Sequence, residues 1–149
     1  MDEIIIRKPT KNDNSIILTL LYELGRPKPN TESDTESFEK LIQTYLEDSD
    51  KTILLAEHKQ KVIGMVSIIF LRRLNQKLLE IYIPELVVTK SHQNKGIGHK
   101  LINACINLAK EKKCYRIRLE SGNLRKQSHI FYKHLEFNQS GLSFNKNIT

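Results

Sequence analysis

Apolar residues recur along this chain with two different periods. Spacings of three and four, the repeat of a helix, place Ile16, Ile17, Leu20, Leu21 and Leu24 on one face. The same spacing gathers Phe38, Leu41, Ile42, Tyr45 and Leu46, and later Ile97, Leu101, Ala104, Cys105, Leu108 and Ala109. Between these stripes lie runs rich in Ile, Val and Leu at residues 3–8, 52–57, 62–71 and 79–88, which predict strands. Residues 115–120 alternate apolar and charged side chains, as a strand with one buried face does.

Local signals sharpen these elements. Asn12 or Asp13 is placed to cap the first helix, and Gly25, Pro27, Pro29 and Asn30 end it in a loop. A tight polar turn joins residues 52–57 to 62–71 as a hairpin. Lys110, Lys112 and Lys113 suit the negative end of the third helix. Residues 128–135 predict another helix, and 137–148 one or two closing strands. The order β-α-α-β-β-β-α-β-α-β, without repeats, predicts a single mixed α/β domain over residues 1–149.

Composition narrows the class. With 149 residues, 39% hydrophobic and 28% charged, the chain is long enough for one ordinary core. The patch Ile4-Ile5-Ile6 is too short for a signal peptide or a membrane span, so no membrane role and a cytoplasmic location are expected. Cys105 and Cys114 lack CxxC spacing, which favours buried thiols over a disulfide or a metal centre. A net charge of +7 favours anionic partners. The basic residues are scattered, and neither zinc-finger spacing nor an aromatic RNA-binding motif occurs, so nucleic acid is not expected.

The most informative segment is residues 87–102, where an apolar strand enters the turn Gln93-Asn94-Lys95-Gly96-Ile97-Gly98 and then a helix. Glycines let backbone approach a bulky anion, and a helix start presents unpaired N–H groups at the positive end of its dipole. Such a turn cradles a pyrophosphate, although paired glycines also serve as plain turn punctuation. The dinucleotide fingerprint needs a third glycine, and the NTP-binding loop needs Gly-Lys-Ser/Thr. Both are absent.

Gln93-x-x-Gly96-x-Gly98 resembles motif A of the GNAT acyltransferase superfamily, Gln/Arg-x-x-Gly-x-Gly/Ala. Upstream, Ile83-Pro84-Glu85-Leu86-Val87-Val88 is similar to that family's fourth strand, with an acid before an apolar run. Downstream, Leu119-Glu120-Ser121-Gly122 and the stretch from His129 to Phe137 look like its fifth strand and its His-x-Phe-Tyr…Gly-Phe helix. Glu136 stands where the family usually has glycine. The resemblance implies a GNAT fold: a central mixed, mostly antiparallel sheet flanked by helices and splayed between the fourth and fifth strands. It also implies acetyl-CoA as acyl donor, held by Leu86, Val87, Val88, Gln93, Asn94, Lys95, Gly96, Ile97, Gly98 and Lys100. Asn123 and His129 join this set, though one also reads as a turn asparagine and the other as a solvated helix residue. Glu-Leu-Val-Val, His-x-Phe-Tyr and the overall length are loosely similar to bacterial aminoalkylphosphonate N-acetyltransferases.

Acetyl transfer to an amine needs a base, because an amine with a reference pKa of about 10.4 is mostly ammonium at neutral pH. Glu85 is the leading candidate: in a regular strand it shares a face with Ile81, Ile83 and Val87, and desolvation would strengthen it as a base. Pro84 beside it predicts an edge or bulge. Free N–H groups near Val87 and Val88 would then hold the thioester oxygen. The plainer reading of Glu85 is a strand-end carboxylate paired with Lys or Arg, and Glu80 is the second candidate base. Tyr132 matches the family tyrosine that protonates the departing thiolate, or is simply a half-buried helix residue. The family's acceptor segments correspond to residues 25–34 and 72–77, whose Arg26, Lys28, Arg72 and Arg73 would attract an acceptor carrying an anionic group. Two functions remain: an N-acetyltransferase for a small primary amine, with a homodimer left open, or a silent coenzyme-binding module acting as sensor or docking unit.

Overall fold

The β-branched runs pair into an open mixed sheet of six strands in the computed structural model, which describes residues 3–149. The described residues fall into two compact units, the first ending at Arg118 and the second spanning Leu119–Thr149. In chain order the elements are β1 (Ile4–Arg7), α1 (Asn14–Glu23), α2 (Glu32–Glu47), β2 (Lys51–His58) and β3 (Lys61–Leu71). They continue as β4 (Glu80–Ile83), β5 (Leu86–Val88), α3 (Ile97–Glu111), β6 (Arg116–Leu119) and α4 (Lys126–His134).

The sheet path is β1-β2-β3-β4-β6, and β5 pairs with β3 off that path. Antiparallel pairing joins β1 to β2, β2 to β3, and β3 to both β4 and β5. The predicted strand over 79–88 is therefore two strands, broken at Pro84 and Glu85. A proline cannot donate to a ladder, and here the chain steps outward before rejoining β3. β6 continues β4 but not β5, so the sheet is splayed beside β5, as the resemblance implied.

Successive side chains of a strand face opposite ways. Ile53, Leu55, Met65 and Val87 meet Ile17, Leu18, Leu20 and Ile42 of α1 and α2 in one buried cluster. On the opposite face Gly64 lets α3 come close: a Cβ there would sit 3.3 Å from a Leu101 methyl and 3.1 Å from the Val87 carbonyl. Leu101, Ile102 and Cys105 of α3 are fully buried, and burial pushes the Cys105 thiol up to about 12. Both cysteines are free.

Two local expectations change. Asp13 occupies the cap position of α1, but its side chain makes no capping bond. Instead it accepts from Arg7 Nη1 and Nη2 at 2.8 and 3.0 Å and from the Thr10 amide at 2.7 Å. A guanidinium fork outcompetes one orphan amide for a carboxylate. The closing strands over 137–148 do not form; that segment is irregular, with Leu142, Phe144 and Ile148 exposed. A strand-like alternation needs a neighbouring edge to pair with, and the remainder of this segment is polar.

Candidate functional site

The break between β4 and β5 places Glu85 opposite Ser67, a lone serine in the apolar run of β3. Ser67 is 2% exposed and grips Glu85 at several points. Its amide donates to the Glu85 carbonyl at 2.9 Å. Its hydroxyl accepts from the Glu85 amide at 2.9 Å and donates to Oε1 at 2.5 Å. Sequence reasoning missed Ser67, although a hydroxyl among nine apolar or glycine neighbours in residues 62–71 was a visible signal.

Glu85 is not an isolated carboxylate among apolar neighbours. Its Oε2 lies 3.1 Å from Nη2 of Arg26, with the side chains 21% and 50% exposed. Arg26 reaches this point because α1 ends in a Schellman turn. Gly25 takes φ +100°, and the amides of Gly25 and Arg26 bond the carbonyls of Tyr22 and Leu21 at 3.0 Å each. Both charges border a cleft of about 250 Å³ whose other walls are Leu18, Leu21, Tyr22, Pro27, Phe38, Leu41 and Ile42. Nearby, Tyr45 donates to the Ile68 carbonyl at 2.9 Å. Burial, and then the charge of Glu85, push its phenol well above its usual value.

Glu80, the second candidate base, is fully buried and fully engaged. It accepts from Arg73 at 2.8 Å, Arg116 at 2.6 Å and Tyr115 at 3.3 Å. Burial alone would raise its pKa, but the hydrogen bonds from Arg116 and Arg73 outweigh that and hold it below its usual value. Arg73 is thereby committed to a carboxylate, and Arg72 donates to the Lys77 carbonyl at 2.6 Å. Lys28 is exposed in the loop after α1.

The open edge of β5 follows directly from its register. Thr89 donates to the Ile63 carbonyl at 2.8 Å and Ser67 to the Glu85 carbonyl at 2.9 Å. Antiparallel pairs alternate, so Glu85, Val87 and Thr89 turn their polar groups toward β3 while Leu86 and Val88 turn theirs away. The outward N–H groups are thus those of Leu86 and Val88, not Val87. The Val88 carbonyl confirms the direction, because Gln93 Nε2 donates to it at 3.0 Å. Gln93 closes the turn after β5 through this bond.

Beyond Gln93 the backbone is shaped for a close approach. Asn94 has φ +61° and Gly96 φ +80°, and a Cβ on Gly96 would meet nothing within 4 Å. α3 starts at Ile97 with Gly98 in its first turn, so the leading amides have no intrahelical acceptor. Lys95 and Lys100 stand exposed around this helix start. Partial burial, then the charges of Lys95, His58 and Lys61, hold the His92 imidazole below its usual value. The turn thus combines exposed lysines with backbone donors at a helix start.

In the second unit, Asn123 lies in a turn spanned by the Arg125 amide and the Gly122 carbonyl at 3.0 Å. His129 Nε2 donates to the same carbonyl at 2.8 Å, tying α4 to that turn. Tyr132 packs edge-on against Phe131 and Phe137, ring centres 5.2 and 5.6 Å away. Burial raises its phenol pKa, with Arg125 opposing, so the hydroxyl keeps its proton at neutral pH. The end of α4 repeats the Schellman pattern: Glu136 bonds Lys133 and Phe137 bonds Tyr132, each at 3.0 Å. Glu136 takes φ +66°, the left-handed conformation for which glycine is suited.

No helix among the described residues is long and apolar enough to cross a membrane. Human N-acetyltransferase 8 and N-acetyltransferase 8B are each 24% identical over 106 residues, covering 70% of this chain and 46% of the relative. The chain spans about half the length of these curated relatives. Among solved structures, a transcriptional regulator from Bacillus halodurans C-125 superposes with a TM-score of 0.90 at 22% identity, over 98% of this chain and 100% of that one. An aminoglycoside N-acetyltransferase in complex with CoA gives 0.85 at 15% identity, over 100% and 97%. Glucosamine-6-phosphate N-acetyltransferase from Arabidopsis thaliana gives 0.81 at 18%, over 99% and 100%. The family model for the acetyltransferase (GNAT) family matches residues 18–137, so the chain belongs to that family.

Proposed function

We propose that this chain is an acyl-CoA-dependent N-acetyltransferase that moves an acetyl group from acetyl-CoA to a primary amine of a small molecule by direct attack. The observation that carries the reading is the adjacency, in one broken strand, of a clamped carboxylate at Glu85 and outward N–H groups at Leu86 and Val88. Glu85 takes the proton of the incoming ammonium, directly or through water. The amine nitrogen bonds to the thioester carbon, and the outward amides of β5 hold the oxyanion that forms. The C–S bond then breaks, and Tyr132, kept protonated by its burial, supplies a proton to the departing sulfur. The second proton lost by the nitrogen as the amide forms replaces it on the phenol through solvent. The residue 93–98 turn, with Lys95 and Lys100, binds the pyrophosphate of the coenzyme. Asn123 and His129 act within the second unit by shaping the turn before α4.

One observation favours a second reading. Arg26 already occupies Oε2 of Glu85, which would suit a silent coenzyme-binding module in which the base is permanently neutralised. Release of free thiol from acetyl-CoA across a panel of small amines, with the acetylated amine identified by mass spectrometry, separates the two. Turnover supports the enzyme, whereas coenzyme binding without turnover on any amine supports the module. In the same assay Tyr132→Phe should slow transfer less for donors whose thiol leaves more easily; an equal loss for all donors would remove Tyr132 from the acid role.

A further inference from the structure

The cleft beside Glu85 has an uneven lining that specifies more than an amine. Its walls are apolar, from Leu18, Leu21, Tyr22, Phe38, Leu41 and Ile42, and among the described residues that line it the charged groups are Arg26 and Glu85. These two stand 3.1 Å apart at one edge. We infer that the acceptor is a small zwitterion, an α-amino acid with a branched aliphatic or aromatic side chain, bound in this cleft, an inference that rests on the proposed role of Glu85 as the base.

The charges set the head group. One carboxylate and one guanidinium side by side are the complement of an ammonium and a carboxylate borne by one carbon. The ligand's ammonium takes Oε2 of Glu85, and its carboxylate takes the guanidinium of Arg26, whose planar fork suits that geometry. Ser67 keeps Oε1, so the exchange leaves the Glu85 side chain in place. The Arg26 side chain of the pair is half-exposed, and an ion pair open to water contributes little, so opening it is easy. A polyamine or aminoglycoside would need several acidic groups, and among its described lining residues the cleft has one, Glu85. A phosphonate dianion calls for more than one cation, and among the described lining residues of the cleft Arg26 is the cation, with Lys28, Arg72 and Arg73 outside that lining.

The walls set the body. A volume of about 250 Å³ is below the roughly 300–1,000 Å³ of sites that hold drug-sized ligands, so the body is a single short chain or ring. In the reaction the α-nitrogen bonds to the acetyl carbon, its ammonium proton passes to Glu85, and the coenzyme leaves as its thiol. The ligand's carboxylate stays on Arg26 throughout and is unchanged.

The test compares L-phenylalanine and L-leucine with their decarboxylated amines, phenethylamine and isopentylamine, and with glycine, by thiol release from acetyl-CoA. Binding of L-phenylalanine to the protein with CoA present is followed by calorimetry. The amino acids should exceed their decarboxylated amines in kcat/KM by about ten- to a hundredfold, the range of a charged hydrogen-bonded contact, and should also exceed glycine. Arg26→Gln should erase the difference between each amino acid and its amine. If the decarboxylated amines react as well as the amino acids, the zwitterion inference fails while the acetyltransferase reading stands. If L-phenylalanine binds saturably and nothing is acetylated, the ligand class stands and the catalytic reading fails. Absence of both turnover and binding of the amino acids overturns the inference.

Discussion

Ser67 and Glu85 hold each other through backbone and side chain at once: the serine hydroxyl lies 2.5 Å from Oε1 and 2.9 Å from the Glu85 amide nitrogen. This clamp occupies the place where the strand opposite β3 breaks. It converts a backbone defect into a fixed position for a carboxylate.

Ser67→Ala should leave the Glu85 amide without its acceptor and free the carboxylate to swing. A buried polar group losing its partner costs about 1–3 kcal/mol, so chemical unfolding should show a loss of that order. Rate should fall through kcat, with coenzyme affinity unchanged, and Ser67→Thr should recover part of it. Equal kcat for Ser67→Ala and the native chain would show that the clamp does not position the base.

Acid stability should report the Arg7–Asp13 pair. The hydrogen bond from Arg7 holds the Asp13 carboxyl at about 2, against 3.8 for the free group. A lowered folded-state value means stability that is present above about 3.8 and lost as pH falls toward 2. Asp13→Asn should therefore cost up to roughly 2 kcal/mol at neutral pH, and its unfolding curve should converge on the native one near pH 2. Parallel curves at both pH values would show that the pair contributes nothing.

Glu136→Gly should stabilise the turn after α4. A non-glycine residue in the left-handed region carries a cost of roughly 1–2 kcal/mol, and Glu136 sits there at φ +66°. A rise in melting temperature with unchanged activity is expected. A fall would mean that the Glu136 side chain offsets its backbone cost.

The parts legible in the sequence were those with a local cause. The stripe Ile97, Leu101, Cys105 marked α3 because one helix face must be buried, and Pro84 marked the break because it lacks an amide proton. Missed parts depend on distant partners. Ser67 is 18 positions from Glu85, and Arg26 is 59 positions away, so no spacing rule joins them. Arg73 read as a free substrate cation because its buried partner Glu80 could not be seen. The alternation at Leu142 and Phe144 imitated a strand, but period two requires a sheet edge that sequence cannot promise.

Gly98→Asp tests the coenzyme turn. It adds a side chain and a negative charge in the first turn of α3, where the reading places the pyrophosphate. Coenzyme affinity measured by calorimetry should fall at least about tenfold, more than a single helix-end charge accounts for, with the circular dichroism spectrum unchanged. Native affinity in a folded variant would move the pyrophosphate elsewhere.

The most direct test of the whole account is the pH dependence of kcat/KM for Glu85→Gln beside the native chain, with an amine shown to react. A general base contributes about 10² to 10⁴ in rate. The variant should lose that much at low pH, where the amine is fully ammonium, and recover toward the native rate as rising pH neutralises the amine unaided. A Glu85→Gln profile that keeps the native rate and the native acidic limb would contradict the assignment of Glu85 as the base.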